Sequence, residues 1–276
     1  MNRGHVFLAQ NSNVDYVRQA YALASTIKKF NKINQTCLIT NDSVPLEYFK
    51  VFDHIVKIPW GDAANNSQWK IENRWKIIYA TPFKYNLVYD TDMLLLSSND
   101  SWWEFLEERD VVLTSQVSDY RNNTVTSDYY RKTFTANQLP NSYFGLHYFN
   151  KNRRSFEFYK WIEVIAKNWK TFFQKYAPQH PQQFCSMDVS AAIAIKIMNA
   201  ENEFLIDTKS PTFVHMKSGI QSWKEFAVDW QEEVSVTFDK ECQLKISNFL
   251  QSGVFHYTED SFLTNDIVNK IENYNV

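Results

Sequence analysis

Short apolar runs alternate with amphipathic stripes through the first 115 residues, and this alternation restricts the fold more than any other feature. His5-Val6-Phe7-Leu8-Ala9 reads as a first strand. Val14, Val17, Ala20, Tyr21, Ala24, Ile27 and Phe30 then fall on one helical face, with Asn13 as the predicted N-cap. Residues 36–40 and 54–58 read as strands, 61–68 as loop and 72–80 as helix, and Asn86-Leu87-Val88-Tyr89 is a strand ending at Asp90. The order β, α, β, β, α, β predicts an α/β protein with a Rossmann-like, mostly parallel central sheet flanked by helices.

The second half is less regular. Residues 111–114 and 143–149 read as strands, while 116–141 are polar and Tyr-rich, a long excursion of the kind that often carries function. Phe156, Tyr159, Ile162, Ile165, Trp169 and Phe172 predict a helix over 153–173, and 187–198 is a second helix, apolar after Asp188. Residues 203–206, 212–214 and 254–257 read as short strands and 265–274 as a closing helix. With no internal repeat and no Gly/Pro linker, a single domain over residues 1–276 is expected.

Composition narrows the class. At 276 residues with 21 Phe, 15 Tyr and 9 Trp, the chain builds a large core without disulfide staples. Cys37, Cys185 and Cys242 are odd in number, widely spaced and outside any CxxC pattern, which argues against a disulfide framework or a zinc site and fits a reducing compartment. A net charge of -2 argues against general nucleic-acid binding. No apolar run approaches the ~20 residues that cross a bilayer, and His5–Ala9 is too short for a secretory core. A soluble, cytoplasmic protein is therefore expected. Five glycines leave no Gly-rich phosphate loop.

The chemistry concentrates in Asp90-Thr91-Asp92, between Asn86–Tyr89 and the apolar Met93-Leu94-Leu95-Leu96. Two carboxylates at the end of a buried strand repel unless something neutralises them. A hard divalent cation, Mn²⁺ or Mg²⁺, takes such oxygens and bridges to phosphates. A turn or helix N-cap is the ordinary role of such aspartates.

Taken in order, these pieces resemble the GT-A glycosyltransferase fold, and within it glycosyltransferase family 8, the glycogenin and galactosyltransferase group. Phe7-Leu8-Ala9-Gln10-Asn11 with Asp15-Tyr16 resembles the family's nucleotide platform, which implies nucleotide contacts for Ala9, Asn11 and Tyr16. Arg74 stands where the family often has a basic residue facing the sugar-nucleotide, and Val88–Met93 resembles its metal motif, so that Asp90, Thr91 and Asp92 would hold the metal and diphosphate. Asn141-Ser142-Tyr143-Phe144-Gly145-Leu146 is similar to the acceptor-side Asn-Ser-Gly strand, with two residues inserted before the glycine. Asp188 sits where an Asp-Gln pair usually stands, Val189 replacing the Gln. His215-Met216-Lys217-Ser218-Gly219 with Trp223-Lys224 resembles the closing His-x-x-Gly-x-x-Lys-Pro-Trp element, one residue longer and without its Lys-Pro.

The resemblance implies a metal-dependent transferase that moves a hexose from a UDP-linked donor to a saccharide or other hydroxyl acceptor with retention of configuration. Residues 1–115 would form the nucleotide-sugar half and 116–276 the acceptor-side half. Asp90, Asp92 and His215 are the expected metal ligands, with His256 in Val254-Phe255-His256-Tyr257 as the rival third ligand and Lys217 adding positive charge. Asp188 and Asn141 are the expected catalytic residues, although Asp188 also suits a helix cap. Asn11 serves equally as a turn residue and Tyr16 as core. Trp102-Trp103 reads as core, and the aromatic stretch 120–143 as an acceptor platform. The alternatives are a non-catalytic sugar- or nucleotide-binding relative and a sugar-phosphate nucleotidyltransferase. The latter wants a Gly-rich, basic first loop, which Gln10-Asn11-Ser12-Asn13 does not supply.

Overall fold

The computed structural model describes residues 2–64, 70–125, 131–206, 210–216 and 234–273. Its central sheet contains β1 (Arg3–Leu8), β2 (Thr36–Ile39), β3 (His54–Val56), β4 (Tyr85–Tyr89), β6 (Val111–Thr114) and β7 (Tyr143–Asn150), in the order β3-β2-β1-β4-β7-β6. The first four strands run parallel, and β7 is antiparallel to both neighbours. Alternate residues serve opposite faces, as the pleat requires. Phe7, Leu38, Leu87 and Val112 enter one core, while Val6, Cys37, Val88 and Leu113 enter the other. Two buried faces explain why these strands are mostly apolar rather than alternating. Each fully buried Leu, Ile or Phe contributes roughly 1.5–3 kcal/mol.

Helices cover both faces. α1 (Tyr16–Phe30) packs its apolar stripe into the first core, and Lys28 and Lys29 complement the dipole at its last turn. Its cap is Asp15 rather than Asn13. The Asp15 carboxylate accepts from the Arg18 N–H at 3.0 Å, because the Ser12 N–H closes a tight turn onto the Val14 carbonyl at 3.1 Å and delays the helix. α2 (Ile77–Ala80) follows a 3₁₀ turn, Arg74–Lys76, so the helix expected over 72–80 is shorter and tighter. α3 (Trp102–Leu106) sinks Trp103 fully into the core, in line with the core reading.

Within the polar excursion lies α4 (Lys132–Asn137). The helix expected over 153–173 divides into α5 (Arg153–Lys167) and α6 (Trp169–Tyr176) at Asn168. α7 (Met187–Met198) matches its predicted span, and α8 (Glu201–Phe204) replaces the strand expected at 203–206. Two three-stranded sheets complete the described fold. One orders β5 (Met93–Leu95), β12 (Val254–His256) and β8 (Val214–His215) as β5-β12-β8; the other joins β9 (Val236–Phe238), β10 (Leu244–Ile246) and β11 (Phe249–Leu250). A further helix spans Asn265–Asn273. Among the described residues, no helix is long and apolar enough to cross a membrane.

Candidate active site

Asp90, Thr91 and Asp92 form the turn between β4 and β5, at the carboxyl end of a parallel strand, where open α/β sheets bind ligands. The buried Thr91 hydroxyl donates to Gln19 Oε1 of α1 at 3.1 Å, which anchors the turn with its side chain inward. The Asp90 N–H donates to the Gly145 carbonyl of β7 at 2.6 Å. Arg74, on its 3₁₀ turn, pairs its guanidinium with Asp90 Oδ1.

β12 runs antiparallel to β5 with His256 opposite Met93, and the Tyr257 N–H donates to the Asp92 carbonyl at 3.1 Å. This pairing brings His256 Nε2 to 3.0 Å from Asp92 Oδ2. One ligating atom each from Asp90, Asp92 and His256 lies within 4.8 Å of the other two. The structure thus gathers His256, not His215, with the carboxylates. His215 is the parallel-register partner of His256 on β8, its ring centred 5.2 Å away and edge-on at 69°.

The cluster is electrostatically tense. Burial and the neighbouring Asp92 push the Asp90 carboxyl up against the pull of Arg74. Burial would raise Asp92 as well, but His256 holds it below the usual carboxylate range. At His256 burial acts to lower the pKa, and Asp92, with Asp90 behind it, outweighs burial and raises it. Tyr16, the first residue of α1, is half-buried near both carboxylates, and burial followed by Asp92 raises its phenol.

The donor set suits a hard cation of Mn²⁺ or Mg²⁺ type: two carboxylates and one imidazole. An octahedral ion with ligands at about 2.1 Å sets neighbouring donors about 3 Å apart, and Asp92 Oδ2 and His256 Nε2 stand at 3.0 Å. Two partly desolvated carboxylates this close favour positive charge beside them, which Arg74 at Asp90 and His256 at Asp92 supply in part.

A second constellation is organised by Arg131, which the sequence reading did not single out. Its guanidinium lies between the Phe134 ring (3.7 Å) and the Tyr143 ring (4.0 Å). From there it donates to Asp188 Oδ2 at 2.7 Å, to Asn141 Oδ1 at 2.9 Å and to the Ser142 carbonyl at 2.5 Å. Asp188 Oδ1 accepts from the Phe144 N–H at 2.8 Å. Asp188 is not the cap of α7, since Ser186 accepts from the Val189 N–H at 3.4 Å. Asp188 and Asn141 are therefore joined through one cation. A cavity of about 230 Å³, lined by Asp90, Arg131, Tyr143, Gly145, Asp188 and His256 among others, connects this constellation to the acidic cluster.

The remaining expected residues are placed as follows. Ala9 is fully buried, its N–H bonded to the Ile39 carbonyl at 3.0 Å. Asn11 Oδ1 accepts from the Val17 N–H at 3.0 Å, and the Asn11 N–H donates to Asp42 Oδ2 at 2.7 Å, so its side chain shapes the entry to α1. Lys217, Ser218, Gly219, Trp223 and Lys224 lie outside the described residues. A single Arg in a polar stretch gave no periodic signal for Arg131. The flanking Tyr and Phe were the only hint.

No protein-family model matches the chain, and no curated protein matches its sequence. Solved structures do share its architecture. The galactosyltransferase LgtC, solved with donor and acceptor sugar analogues, aligns over 98% of this chain and 94% of its own at 12% identity and a TM-score of 0.53. Mouse xyloside xylosyltransferase 1 aligns over 93% and 97% at 9% identity and a TM-score of 0.52. The glycosyltransferase GlyE of Streptococcus pneumoniae TIGR4 matches 75% of this chain at 15% identity with a TM-score of 0.42, and the chain spans 45% of GlyE. The fold is the GT-A type of these glycosyltransferases, with its mostly parallel sheet and flanking helices.

Proposed function

We propose that this chain is a metal-dependent glycosyltransferase that moves a hexose from a nucleotide-diphosphate donor, UDP-linked, to a saccharide or other hydroxyl acceptor. The observation that carries the reading is the convergence of Asp90, Asp92 and His256, of which Asp90 and His256 line a cavity that Asp188 also lines. Asp90, Asp92 and His256 would hold Mn²⁺ or Mg²⁺, with His215 beside them. When bound, the cation supplies Lewis-acid neutralisation of charge on the departing diphosphate.

The chain's own residues do the rest. Arg74 favours the charged form of Asp90 through a half-buried ion pair and adds positive charge beside the phosphates. Tyr16 and Asn11 would border the nucleotide side with Ala9 buried behind them, Thr91 fixes the turn to α1, and Lys217 would serve the diphosphate. Arg131 holds the Asp188 carboxylate facing the cavity, where a fixed negative charge stabilises a sugar that becomes oxocarbenium-like as the glycosidic bond breaks. Asn141, on the same guanidinium, belongs to the acceptor side. Residues 1–115 act as the donor half and 116–276 as the acceptor half of one domain, and the configuration of the sugar is retained.

The test is a thermal-stability screen against nucleotide sugars, with Mn²⁺ and with chelator, followed by an assay of free UDP release. A ligand that binds only the native state raises the melting temperature with saturation. A rise that needs Mn²⁺ for one UDP-sugar supports the reading; no response to any nucleotide sugar, or one unchanged by chelator, overturns it.

A further inference from the structure

Away from the acidic cluster, the surface carries a wall of aromatic rings. The Trp60 indole lies nearly parallel to Trp75, 12° apart with centroids at 5.8 Å, and meets Tyr79 edge-on at 4.9 Å. Tyr79 leans on Phe156 at 5.5 Å, which backs the wall with α5. Trp75 is buried, yet Trp60 is 69% exposed and Tyr79 37%. A large apolar side chain held in solvent by its neighbours is the first anomaly.

The backbone supplies the second. Trp60 has φ 57 and Gly61 φ 78, two consecutive left-handed residues. A bulky side chain there is strained and persists only where the surroundings impose it, a pattern that concentrates at functional sites. The imposing contact is visible: buried Lys76 donates from Nζ to the Gly61 carbonyl at 2.5 Å. The turn is thus held in the conformation that presents the indole outward.

Beside the wall opens a cavity of about 550 Å³, lined by Trp60, Trp75, Lys76, Tyr79 and, from α5, Lys160, Glu163 and Lys167. Glu163 pairs with Lys160 at 2.8 Å and with Lys167 at 2.6 Å. Lys167 Nζ also lies 4.9 Å from the Trp75 ring centre. At the rim two exposed ammonium groups, Lys160 and Lys167, share the single Glu163 carboxylate, and buried Lys76 below is offset by Asp62, which leaves the rim one positive charge in excess. The size falls in the range of small-ligand sites.

We propose that this cavity binds an acidic saccharide: a pyranose unit bearing a carboxylate or sulfate. Its C–H face stacks on Trp60, and its acid group lies against the lysine rim. A pyranose matches both halves of the site, an apolar face for the indole and a polar edge for charged groups. The excess of lysine over carboxylate selects an anion over a neutral sugar. The site holds a saccharide chain without taking part in bond making or breaking, and it needs no metal.

Calorimetric titration in the presence of chelator, with the full chain, tests this. The probes are a hyaluronan tetrasaccharide for the carboxylate, a chondroitin sulfate tetrasaccharide for the sulfate, and cellotetraose as the neutral control. At least one acidic probe should bind tenfold or more tightly than cellotetraose. Trp60→Ala should weaken that binding at least tenfold, and Lys167→Glu should weaken it similarly while leaving the aromatic wall intact. Failure of both acidic probes to bind overturns the proposal, as does unchanged, wild-type affinity in both variants. So does loss of self-association in Trp60→Ala, which would make the wall a contact between copies of the chain.

Discussion

Gly145 stands where a Cβ would fall 2.5 Å from Asp90 Oδ2. The strand that pairs with β4 therefore carries no side chain at the one point where the Asp90 carboxylate needs its volume. This contact is with a carboxylate rather than with backbone, so an added methyl displaces the acid before it displaces the sheet.

Gly145→Ala should accordingly leave the fold in place and damage the cation site. A drop in Mn²⁺ affinity of about tenfold, about 1.4 kcal/mol, is expected from moving one ligand out of position. Titration of Mn²⁺ by calorimetry, beside a thermal melt, reads both quantities. An unchanged Mn²⁺ affinity would detach Asp90 from the site.

Asp92→Asn removes one negative donor without changing volume, and metal-dependent turnover should disappear while the melting temperature holds. The two histidines are separated by single substitutions. His256→Ala should raise the Mn²⁺ requirement sharply, because Nε2 is the atom 3.0 Å from Asp92. His215→Ala should act mildly, through packing against the His256 ring. The reverse ranking would return the third position to His215.

Arg131 is nearly buried and serves Asp188, Asn141 and the Ser142 carbonyl at once. Arg131→Ala leaves those acceptors without their donor and should cost about 3 kcal/mol of stability, read by chemical denaturation. Arg131→Lys should recover little, because an ammonium cannot present a flat fork between two rings. Full rescue by lysine would show that charge alone matters.

Acid should destabilise the protein through two histidines remote from solvent. His5 Nε2 donates to the Ile33 carbonyl at 2.8 Å and Nδ1 accepts from the Tyr89 hydroxyl at 3.1 Å. His147 Nδ1 donates to the Phe144 carbonyl at 2.8 Å, and Nε2 accepts from the Tyr159 hydroxyl at 2.7 Å. Both rings are thereby neutral in the fold. Burial lowers His5 to about 4 and His147 to about 3. The unfolded chain titrates near 6.5, so it binds more protons in the interval between. The stability from these rings is complete above pH 6.5 and is lost as pH falls toward 4, on the order of 3 kcal/mol at His5. Denaturation midpoints measured from pH 7 to pH 4 should fall less steeply in His5→Gln. Equal slopes would contradict the assignment.

How much of this was legible in the sequence depended on length and period. α7 was read at its true bounds because twelve residues of apolar helix follow Ser186 and end at Asn199 in a left-handed cap. β9, β10 and β11 are two or three residues each, too short to display an alternation. Residues 203–206 looked extended, and the helix Glu201–Phe204 overlapping them was missed, because one helical turn carries no more periodicity than a strand of equal length. The break at Asn168 hid within a continuous apolar stripe, since α6 carries the same facing pattern onward from α5.

The candidate site divides in the same way. Asp90 and Asp92 were readable because a local turn holds them together. The choice between His215 and His256 was not, since both close short strands and sit side by side in register. Only the antiparallel pairing of β5 with β12 brings His256 beside the two carboxylates, and pairing between distant segments leaves no trace in local pattern.

That pairing has a consequence for how the protein comes into being. Asp90 and Asp92 are synthesised well before His256. A nascent chain that has already built its parallel sheet from β1 to β4 still holds an incomplete cage, with two carboxylates and no imidazole. If these three groups hold the cation as proposed, its tight capture waits until β12 has docked. Metal affinity is then a reporter of completed assembly, and chains stalled or truncated before residue 256 should be screened out by their inability to retain the ion.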